Sequence, residues 1–233
     1  MQLEIVDRLV VLTTATSRGI EFHDVSAPDR PRVLSRIANA WVRGALPWGR
    51  GILYWGQEGA WSSADGTWVE QPVAAAERYG DLLLLLTANG LSVHDRNLKP
   101  LRDRKVEHTG HMIRAGRFFA ISMRSGLTIV DLTDVERPAI AGSLELQPVK
   151  AIASGKVLDT TTTVIALHER GATLVEAGTR PRVLAHYDHP PWAARTCVAG
   201  GVWARLADDG VTVELYTLVE TTPNLPVPAA MHG

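Results

Sequence analysis

The sequence predicts an all-β chain, a six-bladed β-propeller of four-stranded antiparallel blades, and three observations predict it. Two sets of glycines recur in phase. Gly19, Gly59, Gly90, Gly126, Gly171 and Gly210 each open an apolar run, while Gly49, Gly80, Gly116, Gly155 and Gly200 each mark an earlier hairpin corner, with Asp7 in the matching place of the first repeat. Between the marks lie segments of strand length: Leu9 to Thr13, Ile52 to Trp55, Leu82 to Thr87, Phe118 to Met123, Val164 to His168 and Val202 to Leu206. Four short strands repeated at about forty residues make a propeller blade, and the 3.6-residue periodicity of a helical solenoid is not found.

The clearest repeat runs from Gly126 through Leu127-Thr128-Ile129-Val130-Asp131 and Leu132-Thr133-Asp134 to Pro138 and Leu144. A glycine opens a run of β-formers, an acidic residue closes it, and a Ser/Thr/Asp corner ends in proline before a returning strand. Gly19 to Pro31 has the same layout over the same twelve-residue spacing, and Gly90 to Pro100 and Gly171 to Pro181 are shorter versions. The second repeat keeps the positions around Gly59 but has lost the acidic strand end and the proline corner. The fifth has Glu176 in place of Asp and a longer second strand or loop from Leu158 to Arg170. After Gly210 the sixth passes into Thr221 to Pro228, where three prolines confine the chain to an edge strand or a cover. The run Leu82 to Leu86 reads as an inner strand buried on both faces. The expected organisation is one domain over residues 1–233, with blades at 1–39, 40–73, 74–107, 108–146, 147–188 and 189–225 and a tail at 226–233.

The pattern of glycine, apolar, any, apolar, apolar, Asp, apolar, Ser/Thr and then proline, at Gly126 to Ser143 and Gly19 to Ser35, resembles the LVIVD repeat family of β-propellers. Leu91-Ser92-Val93-His94-Asp95 and Ile20-Glu21-Phe22-His23-Asp24 are similar to the same motif, and with the weaker repeats the resemblance covers about residues 1–220. It implies a propeller of the kind found mostly in bacteria and archaea, often at the cell surface, and brings no catalytic residue to carry across.

The bulk composition is that of a soluble globular protein, with 45% hydrophobic and 21% charged residues. A formal charge of -1 supplies no field toward nucleic acid or an anionic membrane, so neither is expected as a partner. The single Cys197 excludes an intrachain disulfide framework. Residues 1–8 lack a basic segment leading into a long apolar run, and no apolar stretch reaches the roughly 20 residues of a membrane helix, so the cytoplasm is the default expectation.

Candidate chemistry is sparse. Asp24, Asp95, Asp131 and Glu176 recur at one position, which favours a corner role, hydrogen-bonding backbone N–H groups two residues on, over a metal or acid/base role. His108 with His111, and His186 with His189, have the spacing of a ligand pair but no third and fourth ligand nearby, so no metal or other cofactor is expected. No phosphate loop, nucleophile elbow or HExxH occurs, and Ser62, Ser63 and Ser122 have no assignable base, which points away from an enzyme. Trp48, Trp55, Trp61 and Trp68 cluster in the degenerate second repeat as a candidate aromatic patch, against the alternative that they wedge between blades. Counting five residues back from the corner glycines gives His111, Lys150 and Arg195, and Gly44 with Arg43 one step earlier, all at nearly the same height at the starts of the innermost strands, near the mouth of a central channel, where basic side chains would hold an anionic ligand or an acidic loop. The expected function is a non-enzymatic scaffold binding a protein partner through one loop rim; the alternative is a site for a small anion or sugar, or an enzyme, at the channel mouth.

Overall fold

The computed structural model describes residues 2–6, 9–16, 19–24, 27, 30, 32–38, 42–135, 137–157, 161–169, 171–187, 196–199, 202–206 and 213–217. Every regular element among them is a strand. The first sheet contains β1 (Gln2–Val6), β2 (Leu9–Thr16), β3 (Gly19–Asp24) and β4 (Arg32–Ala38). The second contains β5 (Val42–Trp48), β6 (Gly51–Gly56), β7 (Gly59–Ser62) and β8 (Trp68–Val69), and the third β9 (Val73–Tyr79), β10 (Leu82–Thr87), β11 (Gly90–His94) and β12 (Pro100–Arg104). The fourth contains β13 (Met112–Ala115), β14 (Phe118–Met123), β15 (Gly126–Asp131) and β16 (Ala139–Glu145). The fifth contains β17 (Ala151–Val157), β18 (Thr161–His168), β19 (Gly171–Glu176) and β20 (Arg182–Tyr187). The last has three strands among the described residues, β21 (Thr196–Ala199), β22 (Val202–Leu206) and β23 (Val213–Thr217). Each sheet is an antiparallel meander in sequence order, open at both edges.

The chain divides into two compact units, Met1–Val106 and Glu107–Gly233, with three sheets in each. In the first unit β5 lies beside β1 and β9; in the second β17 lies beside β13 and β21. Within each unit, then, consecutive sheets meet along their first strands and stack face to face. The middle strands are consequently rich in buried apolar residues. Leu83, Leu84, Leu85 and Leu86 of β10 are all fully buried, Leu83 and Leu85 within the core shared with the second sheet. At about 2 kcal/mol for each fully buried leucine, this one strand carries a substantial part of the unit's burial energy. The outermost strand β12 is exposed along its whole length, as its sequence Pro-Leu-Arg-Asp-Arg requires. The second unit has the same plan, with Ala120, Leu127, Ile129, Val164 and Val175 in the core between its first two sheets.

The two sets of glycines answer two different demands. Gly80, in the β9–β10 hairpin, has φ +61° and open space where a Cβ would stand, so only the left-handed backbone selects it. Gly126 has φ +143°, and a Cβ there would lie 1.8 Å from the Leu144 carbonyl oxygen of β16. The fourth strand of the sheet runs across the space that a side chain would fill. Gly155, expected at a corner, instead lies inside β17 paired with Thr163, and the pairing runs on to Val157 with Thr161. Threonines at 161, 162 and 163, all β-formers, extend the ladder of β18.

The acidic corners follow the expected chemistry. Asp131 Oδ1 accepts hydrogen bonds from the Thr133 backbone N–H at 2.8 Å and the Thr133 hydroxyl at 2.6 Å, with Arg117 Nε 3.7 Å away. Partial burial opposes ionisation, but these donors together hold the carboxyl below its ordinary value. Asp95 caps its corner by accepting from the Asn97 and Lys99 N–H groups, and this turn brings Leu98 into a left-handed φ of 59° with its side chain in the core. Glu176, one methylene longer, reaches across the strands to Arg182. Past the corner, proline stands at or just before the outer strand at Pro100, Pro138 and Pro181, where a missing N–H costs no ladder bond, and Pro31 holds the matching place in the sequence of the first repeat. A register shift marks the pairing of the third and fourth strands in the first, third, fourth and fifth sheets, at Phe22/His23, Val93/His94, Ile129/Val130 and Leu174/Val175. The outer strand thus carries a bulge at a recurring place.

In the first five sheets the residue two past the opening glycine faces one partner on the fourth strand. The pairs are Glu21 with Arg36, Trp61 with Trp68, Ser92 with Asp103, Thr128 with Ser143 and Thr173 with His186. In the second sheet this pair becomes an aromatic ladder: Tyr54 and Trp61 stack with centroids 5.3 Å apart, and Trp61 and Trp68 at 5.9 Å. The expected patch of four tryptophans is corrected here, because Trp48 and Trp55 are buried in the core of the first unit. Alternation along β5 and β6 turns both toward the third sheet; Trp48 Nε1 donates to the Arg96 carbonyl and the Trp55 ring covers Gly44. They are wedges between blades, while Trp61 and Trp68 remain with Tyr54 on the opposite face.

Two stability experiments follow. Gly126→Ala is expected to lower stability by about 3 kcal/mol or more in denaturant melts, because it combines a strained φ with a backbone clash, whereas Gly80→Asn stays within about 1 kcal/mol. Asp131→Ala is expected to cost about 1 kcal/mol, with the loss disappearing when pH falls well below 3.8 and the wild-type carboxylate is itself protonated.

Candidate functional site

In the second unit a cleft of about 450 Å³ opens where three short stretches meet. Thr109 and His111 come from the segment before β13, Met123 and Arg124 from the end of β14 and its turn, and Val149 and Lys150 from the connector between β16 and β17. His111, Arg124 and Lys150 are exposed and Val149 is buried, so the cleft has basic walls over an apolar floor. A second opening of about 380 Å³ lies on the other side of Lys150, where Gln147 and Glu169 join it. Lys150 therefore stands between a basic and an acidic neighbourhood.

Ser122 positions the His111 stretch. It is fully buried, its Oγ accepts from the Thr109 hydroxyl at 2.7 Å, and its backbone N–H donates to the His111 carbonyl at 3.0 Å. The Thr109 N–H donates in turn to the Ser122 carbonyl at 2.8 Å, which extends the β13–β14 ladder into the segment. No base is aligned on the Ser122 hydroxyl in this arrangement, and its work is to hold backbone. The connector is tied down in the same way, through the Lys150 N–H to the Leu167 carbonyl at 2.8 Å.

Of the four basic residues read from the sequence, the structure brings His111 and Lys150 into one cleft. Their common height does not hold. His111 lies opposite Ser122, but the residue in the matching register of the fifth sheet is Ala151, opposite Leu167, and Lys150 precedes it by one. The shift follows from Gly155 not being the corner. Arg43, in the other unit, is exposed on a bulge of β5 between Val42 and Gly44, and Arg195 lies outside the described residues. Arg124 was not singled out by the repeat pattern. It stands two residues before an opening glycine, at a place occupied elsewhere by Gln57 or Glu169, so nothing recurrent marks it.

Behind the connector is a small polar cavity of about 60 Å³ lined by Gln147, His168, Thr173, His186 and Tyr187. His168 Nε2 lies 2.8 Å from Thr173 Oγ1, which lies 2.9 Å from His186 Nδ1, and His168 Nδ1 is 3.5 Å from the Pro148 carbonyl oxygen. Burial pushes the His168 imidazole below its ordinary value of 6.5; the Pro148 and Gln147 carbonyls oppose this and His186 adds to it. Burial likewise raises the Tyr187 phenol. Among the described residues no three metal-ligating side chains gather in one place, and no helix is long and apolar enough to cross a membrane.

No family model matches the chain, and no curated protein matches it in sequence. Solved structures do. Hsv2 from Kluyveromyces lactis is similar with a TM-score of 0.64 at 11% identity, over 89% of this chain and 70% of Hsv2. AztD from Citrobacter koseri gives 0.63 at 14% identity, over 98% of this chain and 74% of AztD. A protein of unknown function from Desulfotomaculum acetoxidans gives 0.61 at 12% identity, over 92% and 81%. The fold is β-propeller-like.

The buried His168 carries a pH prediction with a definite sign. Its folded pKa is depressed, so between 6.5 and that lower value the unfolded chain binds more protons. Thermal stability is expected to be complete above pH 6.5 and to fall below it, by at most about 1.4 kcal/mol per pH unit from this group. His168→Gln is expected to remove that component from the melting profile.

Proposed function

We propose that the chain is a single six-bladed propeller of LVIVD-like repeats over residues 1–233, with the blade boundaries read from the sequence, and that it works as a non-enzymatic scaffold. The partner is a protein that inserts an acidic loop into the cleft of the second unit. The observation that carries this reading is the meeting of Arg124, Lys150 and His111, from three separate stretches, around the apolar floor of one open cleft. Basic groups that share a wall repel one another unless a counter-charge is present. Arg supplies a planar fork for a carboxylate and Lys a mobile point charge, while Met123 and Val149 offer contact to the stem of an acidic side chain. The propeller-like neighbours support a rigid ring displaying loops, a form suited to binding. The LVIVD-like repeats at Gly126 and Gly19 support the family reading, and with it a bacterial or archaeal origin; the cytoplasm remains the expected place.

A small anion as the ligand is the second reading, and the same side chains favour it. A fluorescent glutamate-rich peptide separates the two when its anisotropy is measured with sulfate as competitor. Peptide binding is expected to weaken with rising salt, and Arg124→Ala with Lys150→Ala to weaken it about tenfold, at unchanged melting temperature, as two exposed charges of up to about 1 kcal/mol each would. A double variant that binds the peptide normally overturns the scaffold reading of this cleft; sulfate binding without peptide binding selects the small-anion reading.

A further inference from the structure

The chain of groups behind the connector has a direction, and proton counting sets it. The Pro148 carbonyl only accepts, so His168 Nδ1 carries the hydrogen and the neutral ring turns a bare Nε2 toward Thr173. Thr173 Oγ1 then donates to His168 Nε2 and accepts from His186 Nδ1–H. Each donor has one acceptor, from the exposed His186 through the buried Thr173 and His168 to the backbone of the connector. A proton added to the far nitrogen of His186 leaves this order intact and makes its first donor charged, hence stronger. A proton added to His168 reverses Thr173, and with both rings charged the hydroxyl hydrogen has no acceptor within the chain. The order of donors and acceptors therefore survives a proton on His186 but not one on both rings.

The last member of the chain is also a wall of the site. Pro148 lines the basic cleft and the opening beyond it, and Lys150 follows two residues later. We propose that His186, Thr173 and His168 form a proton-linked clamp on the connector, so that the cleft holds an anion more tightly when His186 is protonated. This rests on the reading of the cleft as an anion site. Among the described residues the other titratable or charged groups around the clamp are Tyr187 in the same cavity, Glu169 in the β18–β19 turn, Lys150 on the connector and Arg114 on β13, which packs beside β18. The raised Tyr187 phenol stays neutral in the range where histidine titrates.

Sulfate is the probe, because it stays a dianion throughout the histidine range, and the His111→Asn protein is the background, because it removes the titrating group of the cleft itself. Affinity, followed by calorimetry on the full chain from about pH 8 to about pH 5, is expected to rise roughly fivefold on acidification, the low end of couplings between sites. Adding Thr173→Val keeps His186 and its charge but cuts the chain, and the rise is expected to vanish. Nitrogen-15 spectra are expected to show neutral His168 as the Nδ1–H tautomer. An undiminished rise in the Thr173→Val protein overturns the clamp alone, as does an Nε2–H tautomer for His168. Absence of sulfate binding at every pH in both the unsubstituted and the His111→Asn proteins, with the Nδ1–H tautomer present, overturns the cleft reading and the coupling with it.

Discussion

The approach of the outer strand to the first residue of the third strand is the constraint on which the second, third and fourth sheets depend. At Gly126 the Leu144 carbonyl occupies the volume of a missing Cβ, and at Gly90 and Gly59 the Arg104 and Val69 carbonyls do the same. A side chain at any of these points would push the fourth strand away and expose the apolar third strand beneath it. The glycine sets the register of everything that follows: the apolar run, the acidic corner, the proline at the outer edge and the bulge. Recurrence of one backbone requirement is thus the source of the repeat, and the repeat is visible because glycine alone meets it.

With the backbone settled in this way, the pair two residues past the glycine is left to vary. It is an ion pair in the first sheet, a stacked tryptophan pair in the second, a hydroxyl pair in the fourth and a hydroxyl–imidazole pair in the fifth. The scaffold tolerates all four because cross-strand pairs each contribute only about 1 kcal/mol or less, far below the burial energy of the middle strands. Chemistry can therefore be changed at one place without changing the fold. The fifth sheet uses that freedom to place two imidazoles on one hydroxyl, directly behind the connector that walls the cleft.

The cleft itself is made where ladders end. Thr109 to His111, the β14–β15 turn and the connector before β17 are all held by backbone hydrogen bonds at their roots, to Ser122 and Leu167, while their side chains extend beyond the last strand pair. Rigid roots with exposed basic side chains suit a binding rim.

The sequence by itself determined the elements and their order. Period-two apolar segments, glycines with special backbone demands and Asp–proline corners are local signals, each written within one strand and its turn, so the six strand sets, the fully buried leucine run and the Asp131 corner were all legible. Three things were decided only by tertiary structure. Trp48 and Trp55 turned out to be wedges rather than surface because the facing third sheet, distant in sequence, covers them. The height of Lys150 moved by one residue because the β17–β18 ladder runs on past Gly155. Arg124 stood in no repeat pattern, since its neighbours in the cleft come from other strands and connectors; the Thr173–His186 pair has a recurring place in the sheet, but its hydrogen bonds with His168 and the connector were set only when three strands and the connector came together.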